Sequence, residues 1–362
     1  MRRLVPIAAA FILALAVAAP VGAAGPPAGV YAHTYLHVKP NASSSPTGLS
    51  PATIKSAYNF TTSQTAGAGK TIAIVDAFDH PSIEADLAVF SSQYGLPACT
   101  TANFCFTKVN QNGGSSYPRK NAGWALEIAL DVEWAHAIAP GARILLVEAT
   151  SNSFANLLAA EDYAKAHAQY VSNSWGAAEF SGETSYDSHF SQSGVSFFVS
   201  SGDNGTPAEY PSSSRNVISV GGTTLHFSGG NFSSETGWSG SGGGCSVYET
   251  ATSAQSGFSQ YGQVNCGGKR ATPDVSLDAD PASGVSVYDS FRYQGQAGWW
   301  TVGGTSASAP MWAGRSAVAG ATVDAAYVYG SAISYRDITS GNNGASCLVG
   351  FDLVTGRGSW TG

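Results

Sequence analysis

The chain has 362 residues, enough to bury one large hydrophobic core or two smaller ones. Acidic residues outnumber basic ones by 24 to 17, the formal net charge is −7, and only 11% of the residues are charged. Basic residues form no patch and do not alternate with aromatic ones, which argues against a nucleic-acid partner. The low density of ionisable groups limits charge repulsion when carboxylates are protonated, and therefore favours tolerance of acid.

Residues 1–24 have the pattern of a secretory signal peptide. Arg2 and Arg3 supply the positive charge, residues 7–19 form an apolar stretch, and small residues around Ala23 and Ala24 offer a cleavage site. A membrane anchor is the alternative, but the apolar stretch is bounded by prolines and is too short to span a bilayer. We therefore expect a secreted, extracellular protein without a membrane segment after signal removal.

The five cysteines fit an oxidising compartment. Cys99 and Cys105 flank a five-residue loop, and Cys245 and Cys266 bracket a segment rich in glycine and serine. We prefer these two pairs, which leave Cys347 unpaired. The alternative is that some of the cysteines are free and buried.

Residues 25–47 form a short segment rich in proline and serine, which we expect to be extended or disordered. A single domain is predicted over residues 48–362. Within it, short apolar runs alternate with helical patterns, which predicts an α/β fold with a doubly wound, mostly parallel sheet flanked by helices. The predicted strands are 70–76, 142–148, 170–175, 195–200 and 217–220, and a helix is predicted over 154–168.

Residues 123–138, with the sequence GWALEIALDVEWAHAI, predict a helix that ends before Pro140. It is apolar almost all round, which is typical of a buried helix. Glu127 and Asp131 lie four residues apart, so their Cβ atoms are neighbours on one face at roughly 5–6 Å. Like charges at this spacing destabilise a helix and burial costs more, so we interpret the pair as functional. The alternative is a partly exposed helix end with solvated acids. Glu133 is expected to be a surface acid.

Two further motifs follow buried strands. SFFVSSGDNG runs into a turn at Asp203, which could be an ordinary Asp-Asn-Gly turn. GGTSASAP predicts a tight glycine turn that ends a buried strand, opens a buried helix and presents Ser306, with Pro310 in the first helical turn. By itself this octet could be a Gly/Ser loop beside a buried helix.

The GGTSASAP octet resembles the nucleophile motif of the sedolisins, the serine-carboxyl peptidases, and less closely the GTSMA-type motif of the subtilisins. Both families have an α/β fold with a parallel sheet, but subtilisins activate the serine with histidine and sedolisins with glutamate backed by aspartate. The helix also resembles the sedolisin pattern, because ExxxD is followed by Ala139-Pro140-Gly141. The SGDNG sequence resembles the sedolisin SGDxG motif.

The resemblance implies a subtilisin-like fold and hydrolysis of peptide bonds in protein or peptide substrates. Ser306 would be the nucleophile, Glu127 its base, and Asp131 the partner that orients Glu127 and shares its proton. Asp203 would be protonated and would form the oxyanion site with the Ser306 N–H, which favours acidic pH. We expect a monomer.

The C-terminal sequences RDITSG and LVGFDLVTGRG resemble the sedolisin calcium site. The resemblance implies one calcium ion held by oxygen ligands. Carboxylates would come from Asp337 and Asp352, and backbone carbonyls from Ile338, Leu348 and Gly350. The alternative is that both aspartates cap turns beside glycines.

Three other interpretations stay open. A histidine-based, subtilisin-like peptidase could use Asp76 at the end of a strand, although none of the seven histidines lies in an HGT-type motif and Asp76 could instead cap a turn. A non-catalytic secreted binding module could retain the fold. In its favour, sedolisins usually carry a long folded prosegment, for which residues 25–47 leave little room. An esterase or other acyl hydrolase could use the same serine.

Overall fold

The structure is a computed structural model that describes residues 29–362. The predicted signal peptide, residues 1–24, lies outside the described residues. Across residues 29–362, no helix combines the length and the apolar character that crossing a bilayer requires.

The described residues form seven α-helices and eighteen β-strands. The helices are α1 Pro51–Tyr58, α2 Ile83–Tyr94, α3 Ala122–Ile138, α4 Phe154–His167, α5 Ser253–Ser256, α6 Thr305–Ala319 and α7 Ala325–Tyr329. The strands are β1 His33–Thr34, β2 His37–Val38, β3 Thr71–Ala77, β4 Phe106–Asn110, β5 Arg143–Ala149, β6 Tyr170–Asn173, β7 Trp175–Ala178, β8 Ser196–Ser200, β9 Glu209–Tyr210, β10 Ile218–Ser228, β11 Asn231–Gly237, β12 Gly244–Thr250, β13 Lys269–Thr272, β14 Val275–Asp278, β15 Val285–Tyr293, β16 Gln296–Gly303, β17 Tyr335–Arg336 and β18 Ser359–Trp360.

One large sheet organises the molecule, with strand order β17-β18-β14-β10-β8-β6-β3-β5-β4 and β11 added to β10. Neighbours from β4 to β18 pair in parallel, whereas β11 and β17 are antiparallel. The chain order changes direction at β3, which has β5 on one side and β6 on the other. In open α/β sheets, ligands bind at the carboxyl ends of the strands beside such a switch point.

Helices cover both faces of this sheet. In β3, Ile72 and Ile74 pack into the core that contains α3 and α6, whereas Ala73 and Val75 pack into the core that contains α4. A strand buried on both faces is a continuous apolar run, as this one is. The doubly wound, mostly parallel α/β fold predicted from the sequence is therefore confirmed.

The predicted elements match the observed ones to within a few residues, except that β10 extends far beyond Val220 and the predicted strand 170–175 divides into β6 and β7. The two preferred disulfides, Cys99–Cys105 and Cys245–Cys266, are present, and Cys347 is free and buried.

The segment ahead of the predicted domain is ordered in its described part. Residues 33–34 form β1 against β7, and residues 37–38 form β2 against β16. Ala32 and Tyr35 are buried. Of the two conformations expected for this segment, the extended one is observed.

Candidate active site

Ser306 lies in the first turn of α6, directly after a glycine turn that ends β16. Gly304 precedes the helix, and its φ of 105° lies in the left-handed region that favours glycine. Ser306 is completely buried, and its Oγ has no hydrogen-bond partner among residues 29–362. The predicted strand–turn–helix arrangement around Ser306 is therefore confirmed.

Pro310 lies in the second turn of α6, so its predicted position in the first turn was wrong. A proline has no N–H and cannot donate to the carbonyl four residues earlier, which here belongs to Ser306. That carbonyl instead accepts a hydrogen bond from Ser174 Oγ at 3.4 Å. The prediction failed because sequence patterns locate the start of a helix only to within a few residues.

The two acids of α3 lie beside Ser306 in the core. Asn121 caps the helix, and both Glu127 and Asp131 are completely buried. The Ser174 hydroxyl donates to Asp131 Oδ1 at 2.9 Å. Because the same hydroxyl also approaches the carbonyl of Ser306, Ser174 connects the acid pair to the first turn of α6.

Electrostatics in this cluster favour protonated acids. Burial raises the pKa of Glu127 well above its usual range, repulsion from Asp131 raises it further, and the nearby Ser306 hydroxyl opposes both effects. Burial likewise raises the pKa of Asp131 well above its usual range, against the hydrogen bond from Ser174. Within the described chain, neither oxygen of Glu127 has a partner at hydrogen-bond distance, so Ser306 is close to Glu127 without being bonded to it. Glu127 and Asp131 can therefore share a proton beside the Ser306 hydroxyl.

A third buried carboxylate, Asp76, joins the cluster. It lies inside β3 and is fully buried, and its oxygens have no partner among the described residues. Burial raises its pKa, and repulsion from Asp131, Glu127 and Glu148 adds to this effect. Its predicted role as a cap or turn residue was wrong, because the strand continues past it. The side chain therefore belongs to the site and not to a turn.

Asp203 follows the end of β8, at the same edge of the sheet. Its Oδ1 accepts hydrogen bonds from Thr305 N and Thr305 Oγ1, both at 2.8 Å. Its Oδ2 accepts no hydrogen bond from the residues that the structure describes, and lies 3.2 Å from His37 Nε2. Burial raises the pKa of Asp203, while contacts with His37 and Thr305 oppose the increase.

The structure thus brings all four predicted site residues together. Glu127 experiences the charges of Asp131 and Asp203 and the hydroxyl of Ser306. Of the histidines that the structure describes, only His37 contacts any of the four. His80, the histidine closest to Asp76 in sequence, is buried and faces Asp86 and Asp289 at 3.3 and 3.4 Å.

Glu133 was predicted to be a surface acid, and this prediction was wrong. It is completely buried, and its Oε2 accepts a hydrogen bond from Tyr288 N at 3.0 Å. Strand β15 packs against α3 and covers this side chain. The sequence of the helix does not indicate that a strand residue 155 positions further along the chain bonds to Glu133.

The C-terminal loop contains the residues of the predicted calcium site. Asp337 accepts hydrogen bonds from Gly350 N at 3.0 and 3.1 Å, and Asp352 Oδ2 accepts one from Leu348 N at 3.0 Å. Within the described part of the chain, no backbone N–H donates to the carbonyls of Ile338, Leu348 or Gly350. Two carboxylates and three free carbonyls in irregular chain form an all-oxygen donor set of the kind that Ca²⁺ prefers. The donor types suit calcium, but Asp352 Oδ1 also accepts hydrogen bonds from Val354 N at 2.9 Å and Thr355 N at 2.7 Å, so both aspartates hold turns as the alternative expects.

Sequence reasoning missed several residues around Ser306. Tyr35 and His37 belong to a segment without hydrophobic periodicity, and Glu209 and Ser174 lie in no motif whose role had been assigned. The sequence did contain a signal for Asp76, because an acidic residue at the carboxyl end of a buried strand lies at the edge of the sheet where ligands bind.

The model of the subtilase family matches residues 118–329, which is more than half of the chain. The chain belongs to the subtilase family. This subtilase also resembles a solved structure, Pseudomonas sedolisin (serine-carboxyl proteinase) complexed with two molecules of pseudo-iodotyrostatin, with a TM-score of 0.73 and 29% identity over 87% of this chain and 96% of that chain. Three curated relatives, sedolisin, kumamolisin and xanthomonalisin, are also similar to this chain.

Two curated relatives define the similarity in sequence. Sedolisin of Pseudomonas sp. (strain 101) is 35% identical over 206 residues, 46% of this chain and 33% of the relative. Kumamolisin of Bacillus sp. (strain MN-32) is 29% identical over 362 residues, 88% of this chain and 63% of the relative. The chain thus spans between one third and just under two thirds of the length of these relatives.

Proposed function

We propose that this subtilase is a secreted serine-carboxyl peptidase that hydrolyses peptide bonds of protein or peptide substrates at acidic pH. The observation that carries the proposal is the packing of Glu127 and Asp131, both fully buried, beside the hydroxyl of Ser306. Burying two neighbouring carboxyl groups costs folding free energy. A role in proton transfer accounts for their presence in the core.

The first chemical step follows from the positions of these groups. In the form of the pair that has one ionised carboxyl group, Ser306 Oγ attacks the carbonyl carbon of the substrate and the ionised Glu127 accepts the hydroxyl proton. Asp131 shares that proton with Glu127, and the hydrogen bond from Ser174 holds Asp131 in place. Glu127 then returns the proton to the leaving amine, and water hydrolyses the acyl–serine ester by the same route.

Asp203 supplies the oxyanion site in this proposal. Because its Oδ1 already accepts two hydrogen bonds from Thr305, a proton on this carboxyl group would be on Oδ2. From there it would donate to the negative oxygen of the tetrahedral intermediate, together with the Ser306 N–H. A protonated Asp203 requires a low pH, which agrees with an enzyme that works in acid.

The decisive experiment measures hydrolysis of a denatured protein from pH 3 to pH 8 by the wild type and by Ser306→Ala and Glu127→Gln. We expect activity in the acidic range only. Ser306→Ala should abolish it, and Glu127→Gln should lower kcat by about a hundredfold or more. Ser316→Ala is the matched control, because Ser316 is also buried in α6 and its Oγ has no partner within the described chain.

Each alternative predicts a different result. Activity that survives Glu127→Gln would favour a histidine-based subtilisin mechanism. Faster, Ser306-dependent hydrolysis of esters with no peptide cleavage would favour an esterase. A folded wild type without Ser306-dependent cleavage at any pH would contradict the proposal and favour a binding module.

The proposal includes one calcium ion in the C-terminal loop, held by Asp337, Asp352 and the carbonyls of Ile338, Leu348 and Gly350. Calcium would join two chain segments, so we expect a chelator to lower the Tm by several degrees and added Ca²⁺ to restore it. Asp337→Ala should remove this response. Equal melting curves with and without chelator would exclude the ion.

A further inference from the structure

A lysine and two acidic residues meet at the carboxyl edge of the large sheet, on three neighbouring segments. Lys108 lies in β4, Glu148 lies in β5, and Asp79 follows the end of β3. Strand β5 pairs with β3 on one side and with β4 on the other, so it lies between the other two segments. None of the three side chains has a role in the proposed hydrolysis.

The lysine nitrogen is in close contact with both acids. Lys108 Nζ lies 2.5 Å from Asp79 Oδ1 and 3.4 Å from Glu148 Oε1. An ordinary charge-assisted hydrogen bond from nitrogen to oxygen is about 2.7–2.9 Å long. The carboxyl carbon of Asp79 is bonded to Oδ1, so the lysine nitrogen is held beside the atom that it would attack, as a near-attack arrangement requires.

Water has little access to this cluster. The side chain of Lys108 is 11% exposed, that of Asp79 is 7% exposed, and that of Glu148 is fully buried. The ring of Tyr117 covers the lysine nitrogen, with its centroid 4.2 Å away. In an environment of low polarity, transfer of a proton from an ammonium to a carboxylate costs less than in water. The transfer produces a neutral amine, whose lone pair makes it a nucleophile.

The neighbours of Lys108 suit the neutral amine, which has two N–H bonds and one lone pair. The carbonyl oxygen of His80 lies 3.0 Å from Nζ and accepts one N–H. Glu148 Oε1, on another side of the nitrogen, can accept the second. The lone pair is then left for the carboxyl carbon of Asp79.

Glu148 can relay protons during such a reaction. Burial raises its pKa to about 8 against the opposing charge of Lys108, so the side chain is protonated below that pH. Its Oε1 accepts a hydrogen bond from His80 N at 3.0 Å, and its Oε2 is buried without a partner among residues 29–362. An acid with one anchored and one free oxygen can donate a proton and take one back.

From this geometry we infer that Lys108 and Asp79 form an intramolecular isopeptide bond, with Glu148 as the proton relay. The inference does not depend on the proposed peptidase function. It assigns a covalent modification that links β4, at the end of the sheet, to the loop after β3. The link holds both segments at the edge of the sheet that carries the candidate active site.

The reaction is a condensation that needs no second reactant. The Lys108 ammonium passes one proton to the Asp79 carboxylate, and Nζ then bonds to the Asp79 carboxyl carbon. Glu148 protonates an oxygen of the resulting tetrahedral carbon and takes a proton from the nitrogen. One C–O bond breaks, the oxygen leaves as water, and Glu148 ends with the proton count that it had at the start. The products are a neutral amide and one water molecule.

A second lysine–aspartate pair provides an internal control. Lys165 Nζ lies 2.6 Å from Asp162 Oδ1, which is almost the same distance. The side chain of Asp162 is 46% exposed, so water stabilises its ionised form. We expect this pair to stay ionic in the same molecule in which Lys108 is linked.

The first test maps the peptides of the purified full chain after unfolding, reduction and digestion with trypsin. We expect no cut after Lys108, and a peptide of residues 71–119 that is lighter than its sequence by one water molecule. A further cut after Glu84 should leave residues 71–84 and 85–119 joined, since the link spans the cut. The peptide that contains Lys165 should have its unmodified mass.

Variants assign the roles within the cluster. Glu148→Gln should lower the linked fraction of the folded protein at least tenfold. Glu161→Gln is the matched control and should leave it unchanged, because Glu161 is also fully buried and burial raises its pKa to about 8. Lys108→Arg keeps the charge but cannot form the bond, so its Tm should be several degrees below that of the wild type.

Three results would contradict the inference. Complete cleavage after Lys108 in the folded wild type, with residues 71–108 at their unmodified mass, would leave an ordinary buried ion pair. A bond from Lys108 to Glu148 would make Glu148 the acceptor and not the relay. A Glu148→Gln chain that folds and links fully would remove the relay from the mechanism.

Discussion

Ser174 shows how one small side chain can couple two elements of the site. Its hydroxyl donates to Asp131 at 2.9 Å and approaches the carbonyl of Ser306 at 3.4 Å. That carbonyl is available because Pro310 has no N–H to donate to it. Ser174 therefore acts as a positioning residue, since it holds a member of the acid pair and contacts the backbone of the nucleophile.

Ser174→Ala should raise the pKa of Asp131, because the hydrogen bond favours the ionised form. We expect kcat to fall about tenfold and the pH profile of kcat to shift. A full pH–rate profile measures both effects. Ser172→Ala is the matched control, because Ser172 is equally buried and its Oγ has no partner within residues 29–362. A fall in kcat with an unshifted profile would leave Ser174 with a structural role only.

At the residue scale, the sequence predicted what depends on local spacing. Glu127 and Asp131 share one helix face because they are four residues apart, and no distant contact is needed to infer this. The surroundings of Asp76 and Glu133 depend on distant strands, so their burial was not predictable. An acidic residue in a strand or a helix has the same local sequence pattern whether or not a later segment of the chain covers its side chain.

Helix α6 combines two requirements that conflict in an ordinary helix. It must begin at Thr305 to present Ser306, yet it contains Pro310 in its second turn. An interior proline costs about 3 kcal/mol relative to alanine in a helix. Here the cost is reduced because the released Ser306 carbonyl receives a hydrogen bond from Ser174.

Pro310→Ala should therefore separate stability from activity. The new N–H can donate to the carbonyl of Ser306 and displace Ser174 from it. We expect an unchanged or higher Tm together with a several-fold lower kcat. Calorimetry and casein hydrolysis on the same preparation measure the two quantities. Retained kcat with a higher Tm would mean that the proline has no part in positioning Ser306.

At the element scale, the sequence predicted α3, α4 and the parallel strands, because each is a continuous run with its own hydrophobic pattern. Strands β1 and β2 were not predicted. Each has two residues, and each exists only through pairing with a strand more than a hundred residues away. A segment rich in proline and serine carries no local sign of such pairing.

The whole molecule buries many acids, and this determines how its stability responds to pH. Glu161 is completely buried, and burial raises its pKa to about 8 despite the opposing charge of Lys165. Glu148 is also buried, and burial raises its pKa to about 8 against the opposing charge of Lys108. Between the ordinary glutamate pKa and pH 8, the folded protein keeps these protons and the unfolded chain loses them.

Stability should therefore fall as pH rises from 5 to 8. Each buried proton contributes a slope of about 1.4 kcal/mol per pH unit. We expect a higher Tm at pH 5 than at pH 8, and Glu161→Gln should flatten the dependence. Asp162→Asn is the control, because Asp162 is exposed and its pKa is lowered, so it stays ionised throughout this range. Equal Tm values at the two pH values would contradict the assignment.

The peptide of residues 33–38 also affects how inhibitors of this protein should be assayed. A ligand that binds along β7 and β16 competes with this covalently attached segment, whose effective concentration is in the millimolar range for a short tether. Titration of the intact chain would report displacement of that competitor and would underestimate the affinity of the empty groove. Measuring the affinity of a variant that lacks residues 1–38 beside that of the intact chain would give the difference directly.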